Sequence, residues 1–119
     1  MLFRSYHSSI TFTSGQVAER PVKGFVIPTA WASAIIGLSR CFALELAPIR
    51  VNVVSPGPTD TEAQGSEEVR ASTREAIAKT SLLGKMASAE EVAEAYIYLM
   101  RNTDSTGSVV NSNGGALIK

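Results

Sequence analysis

The segment Ser9-Ile10-Thr11-Phe12-Thr13 is rich in β-branched and aromatic residues and stops at Ser14-Gly15, which predicts a short strand running into a loop. Residues 15 to 28 carry Gly15, Pro21, Gly24 and Pro28 and read as loop. Apolar residues then recur at helical spacing: Trp31, Ala34/Ile35, Leu38, Cys41/Phe42 and Leu46. Pro28-Thr29 marks the entry of that helix and Pro48 its exit. Val51-Asn52-Val53-Val54-Ser55 predicts a second strand, closed by Pro56-Gly57-Pro58. Residues 60 to 84 are polar and irregular, with short helical turns expected between Glu67 and Lys79. Ser88-Ala89-Glu90-Glu91 is a capping box: Ser88 can cap the amide of Glu91 while Glu91 reaches back. Val92, Ala95/Tyr96 and Leu99 continue it as a second helical stripe. Thr106-Gly107 is a turn and Ser108 to Asn111 a third strand. Strand, helix, strand, helix, strand is the order of an α/β layer with parallel strands and two main helices.

Composition narrows the function classes. The 119 residues suit one domain, and 45% hydrophobic with 18% charged residues is a globular profile. Eleven basic residues balance eleven acidic ones and are scattered, so neither nucleic acid nor a membrane is an expected partner. No apolar run approaches the roughly 18 residues a membrane crossing needs. Met1 to His7 lacks the apolar core of a signal peptide, which makes a cytoplasmic location the expectation. Cys41 is the single cysteine, so no internal disulfide forms, and its apolar neighbours make it read as a buried structural thiol. One His and one Cys make no zinc site, and no metal is expected.

Several fragments resemble, in order and spacing, the C-terminal half of the short-chain dehydrogenase/reductase family. Ser9 to Gly15 resembles the family's fifth strand, which ends on its catalytic Ser. Ala43-Leu-Glu-Leu-Ala-Pro-Ile-Arg-Val-Asn-Val-Val-Ser-Pro-Gly57 resembles the helix-to-strand segment with its Pro-Gly signature. Leu83 to Ala93 resembles the lead into the last large helix, and Thr106-Gly107 with Asn113-Gly114-Gly115 the closing strand. The resemblance implies a partial Rossmann-like, doubly wound parallel sheet, with strands equivalent to the family's fifth, sixth and seventh lying side by side. Residues 60 to 84 would be the substrate lid of this single truncated domain.

The same resemblance assigns candidate residues. Ser14 falls at the family's Ser position, where it can hydrogen-bond a carbonyl; ending a strand and satisfying a turn is the equal alternative. Counting back from Leu38, the family's catalytic Tyr position falls on Pro28 and its Lys position on Ala32, and neither does acid–base work. Pro56, Gly57, Thr59 and Thr61 would meet the nicotinamide end of NADP or NAD; a plain Pro/Gly turn with Asp60 capping a helix is the other reading. The Gly-rich turn that cradles a dinucleotide pyrophosphate is missing from this sequence. A divergent fungal subgroup, similar in its Ser-Gly turn and Pro-rich loop, also lacks the Tyr/Lys pair. Some of its members work in secondary metabolism as imine reductases or as catalysts of non-redox cyclisation, using a loop carboxylate. Glu19 is the candidate here, against an exposed carboxylate paired with Arg20.

The expectation is an oxidoreductase-family chain that is not competent alone for hydride transfer and binds cofactor poorly alone. The alternative is a non-catalytic association partner, or a non-redox pocket protein of a biosynthetic pathway. An unpaired strand edge predicts a homo-oligomer or a complementing chain. Either reading admits a small-molecule substrate.

Overall fold

The computed structural model describes residues 4–119, so the first three residues of the Met1–His7 segment lie outside the described residues. Three parallel strands form the sheet in the order β1 (Ser9–Thr13), β2 (Arg50–Pro56), β5 (Val109–Ser112). Ile10 sits opposite Val51, and Val53 opposite Val109. The α/β fold with parallel strands is therefore as expected. β2 is central, and Arg50 to Ser55 are all buried. Alternation along the strands sends Phe12 and Ser14 towards α1 (Val26–Glu45), with the Phe12 and Phe42 rings stacked at 6.2 Å. Thr13 and Val54 face α3 (Ala89–Arg101) on the other side. Val54 packs there with Val92 and Leu99, and the Thr13 hydroxyl hydrogen-bonds Tyr96 Oη at 2.7 Å.

α3 begins with the expected capping box, in which Glu91 N–H donates to Ser88 Oγ and Ser88 N–H to the Glu91 carboxylate. α1 differs from expectation in three ways. It starts at Val26, so Pro28 lies in the first turn, where a missing N–H costs nothing. Its buried positions are Ala32 and Ser39, with Ile35, Ile36, Phe42 and Leu46 half-buried, whereas Trp31, Leu38 and Cys41 are exposed. The helix is apolar nearly all round, so periodicity could not single out the sheet-facing side. Cys41 is accordingly not a core thiol; its Sγ lies 3.6 Å from Glu45 Oε1. The same composition gives Val26–Glu45 a mean hydropathy of 1.4 over a membrane-length window, which corrects the expectation that no segment is apolar enough to cross a membrane. Its contacts with β1 and β2 are those of a helix laid on a sheet.

The polar stretch after β2 is more regular than its sequence suggests. β3 (Thr59–Asp60) pairs with β4 (Ala87–Ser88) in a short parallel ladder, and α2 (Glu67–Thr80) is one helix of 14 residues rather than scattered turns. Asp60 does not cap a helix. Its two carboxylate oxygens each accept at 2.7 Å, one from Arg70 and one from Arg74, and this ties α2 to β3. The residues from 61 to 86 thus hang from a small ladder at the C-terminal end of the sheet.

Candidate active site

Three loops meet where β1, β2 and β5 end: Ser14-Gly15-Gln16, Pro56-Gly57-Pro58 and Asn113-Gly114-Gly115. Ligands of open parallel sheets bind at this end of the strands. Gly57 is the joint between the loops. Its N–H donates to Ser112 O at 2.9 Å, and a Cβ there would stand 2.8 Å from Gln16 Oε1 and 3.0 Å from the Asn113 α-carbon. Only glycine fits. Polar atoms that are buried and make no hydrogen bond gather here: Gln16 Oε1, Ser55 Oγ and Asn113 Nδ2. Unpaired buried groups are rare and mark places where a ligand or water completes the structure.

Ser14 is buried, and its hydroxyl donates to the Ala32 carbonyl at 2.8 Å. A serine has one proton to donate. In this geometry that proton fastens α1 to the end of β1 and is not offered to a substrate carbonyl. Ala32 thus takes part through its backbone alone, and Pro28 is exposed on the first turn of the helix. Glu19 is exposed at the end of the 3-10 turn Gln16–Ala18 and forms no ion pair among the described residues. Arg20, its expected partner, donates instead to the Ala116 carbonyl.

Thr59 Oγ1 donates to Gly57 O at 3.0 Å and holds the turn. Thr61 stands at the N-cap of the 3-10 turn Glu62–Gln64 without a side-chain cap bond, so its hydroxyl is open to another partner. Pro56, Gly57, Thr59 and Thr61 are all half-buried on one rim. The Asp60 pKa is lowered from the ordinary carboxylate value by the guanidinium donors of Arg74 and Arg70, which favours the charged form that ties α2 to β3. Gln16 and the Asp60 clamp carried no signal in the sequence. The roles of Gln16 and Asn113 arise only when three loops distant in sequence meet.

A family model described as the SDR-like Rossmann domain matches residues 2–119. The short-chain dehydrogenase/reductase ATR9 of Stachybotrys chlorohalonatus is 50% identical over 117 residues, covering 98% of this chain and 46% of that protein. The short-chain dehydrogenase/reductase malC of Malbranchea aurantiaca is 38% identical, with 94% and 43% covered. Among solved structures, a small-chain dehydrogenase in complex with NADPH superposes with a TM-score of 0.90 at 36% identity, covering 95% of this chain and 52% of the other. The MalC reductase/Diels-Alderase structure from Malbranchea aurantiaca gives 0.89 at 36% identity, with 97% and 44% covered. The chain spans about half the length of the curated relatives it matches.

Proposed function

The chain belongs to the short-chain dehydrogenase/reductase family, and from that premise we propose that it supplies the substrate-side half of an NADP(H)-linked oxidoreductase site and does not transfer hydride by itself. The observation that carries this reading is the bond from Ser14 to the Ala32 carbonyl. The one candidate donor left at the family's catalytic positions is spent within the fold. Pro28 and Ala32, which stand by resemblance at the Tyr and Lys positions, bring no proton. Acid–base assistance of this kind is worth about 10²- to 10⁴-fold.

A similar solved structure holds NADPH, and this supports NADP(H) as the cofactor. When bound, it would supply the hydride. Thr61 and the turn at Pro56-Gly57-Pro58, with the Thr59 backbone, would hold its nicotinamide end, while the pyrophosphate needs residues from elsewhere. A further polypeptide segment, in a longer protein, on a complementing chain or on another copy, would cover the outer edge of β1. Mixing the 119-residue chain with a chain carrying a Gly-rich family N-terminal half tests this. NADPH binding should appear only in the mixture, and reduction of a carbonyl or imine there requires a proton donor from the complementing half or from water. Turnover of such substrates by the chain alone would refute it.

A second reading rests on a particular relative. MalC is named a reductase/Diels-Alderase, so a related fold also serves a cycloaddition in which no hydride moves. Glu19, exposed and without an ion-pair partner among the described residues, is the carboxylate such a pocket would use. Conversion that proceeds without NADPH and is lost in Glu19→Gln would favour this reading. Unchanged conversion in that variant would end it.

A further inference from the structure

Beside the Gly57 joint lies a cavity of about 120 Å³. Pro58, Ile77, Leu83 and Ala87 give it an apolar body, and Asn113 with Ser81 gives it a polar end. At about 30 Å³ for each water-sized group, its enclosed part takes about four non-hydrogen atoms, and the remainder of a ligand would extend through its open side. Its wall is fixed in place: Leu82 N–H donates to Gly114 O at 3.0 Å, Ser81 Oγ to the same carbonyl at 3.3 Å, and Leu83 N–H to Ser81 Oγ at 3.2 Å. Gly115 lets the lid come this close, since a Cβ there would stand 2.6 Å from Leu82 Cδ1.

Asn113 is the informative wall residue. Its Oδ1 accepts from Gly115 N–H at 3.2 Å, which orients the amide, and its Nδ2 is buried without an acceptor. A ligand acceptor would complete it. Lys85 and Glu91 also line the cavity, half-exposed and paired with each other, so they leave no net charge for an ionic ligand. A neutral acceptor therefore suits the site better than a carboxylate.

We propose that this cavity takes the non-reacting end of a small substrate, a compact branched aliphatic group next to a neutral carbonyl oxygen that accepts from Asn113. This rests on reading the neighbouring rim as the reaction centre. It makes Asn113 and Ala87 the residues that set substrate shape.

The probe is isobutyramide, titrated into the isotope-labelled 119-residue chain and followed by amide and methyl NMR shifts. Acetamide, which lacks the branched body, is the control. Saturable shifts at Ile77, Leu83, Ala87 and the Asn113 side-chain amide, with a dissociation constant in the millimolar range, are expected for a fragment of this size. Ala87→Leu fills the cavity and should abolish them. Leu83→Ala, at an exposed wall position that folding does not need, should weaken them several-fold. Asn113→Asp keeps the oxygen that holds Gly115 and removes the donor, so binding should fall about fivefold or more. Absence of saturation, equal response to acetamide, or unchanged affinity in Leu83→Ala or Asn113→Asp overturns the proposal. The titration contains no nucleotide, so a chain that fails to take up NADPH from a complementing half can still pass it, and the two readings fail separately.

Discussion

Arg50 is buried, and no carboxylate pairs with it among the described residues. Its guanidinium instead donates to the carbonyls of Leu99, Met100 and Asn102 at the end of α3, and to that of Tyr6. The negative end of the helix dipole and the unpaired last carbonyls supply what a counter-ion would. Arg50→Met leaves the buried Leu99 carbonyl and its part-buried neighbours without a donor, and chemical denaturation should show a loss of about 3 kcal/mol. Gly57→Ala should cost about 1–3 kcal/mol by the same measurement, because the Asn113 backbone must move to admit a methyl group. Cys41 gives a third expectation. Glu45 accepts the thiol hydrogen and repels the thiolate, raising the Cys41 pKa, so the reactive form is scarcer than exposure alone suggests. Glu45→Gln removes the repulsion, and alkylation by iodoacetamide near neutral pH should become faster. An unchanged rate would show that Glu45 does not control the thiol. At this scale the sequence displayed Ser14 and Gly57 through the motifs around them. It hid Gln16, Asn113 and the burial of Arg50, whose partners lie at the far ends of other segments.

Among the elements, the three main strands and the capped start of α3 were legible because their signals are local: β-branched runs, Pro-Gly stops and a Ser-x-x-Glu box. The sheet-facing side of α1 was not legible, because apolar residues surround the helix. α2 was legible as helical turns between Glu67 and Lys79 but not as one continuous helix, because part of what orders it is non-local. Glu67, Arg70 and Arg74 converge with Asp60, a residue of β3. The two-residue strands β3 and β4 are too short to show a period. The Asp60 clamp gives a pH dependence. Its folded pKa lies below the unfolded value of about 3.9, so its contribution is complete above that value and disappears as pH falls through the lower folded pKa. Hydrogen exchange across Glu67–Thr80 should therefore speed up on acidification below about pH 4. Asp60→Asn should produce the same loosening at neutral pH while the amides of β2 stay protected. Equal loosening of β2 would mean global unfolding rather than release of the lid.

On the scale of the whole molecule, α1 carries five of the large apolar side chains that are exposed among the described residues. Val26, Ile27 and Leu44 of α1 are 76%, 78% and 81% exposed, and Trp31 is 54% exposed. β1 pairs only with β2 among the described residues, so its other edge is open to a further strand. Exposed apolar surface of this kind marks a surface built to be covered. The chain alone should therefore run as a dimer or larger species in size-exclusion chromatography with light scattering, and a clean monomer would overturn that expectation. Family membership was legible in the order of motifs, and the matching relatives agree with it. Activity was not, because the fold is shared by chains that reduce and chains that do more than reduce. The central proposal is that Pro56, Gly57, Thr59 and Thr61 meet the nicotinamide end of NADP(H) and that this segment does not hold a dinucleotide alone. Calorimetric titration of the 119-residue chain with NADPH tests it most directly. The account predicts no binding at micromolar concentrations. Saturable one-to-one binding in the micromolar range would contradict it.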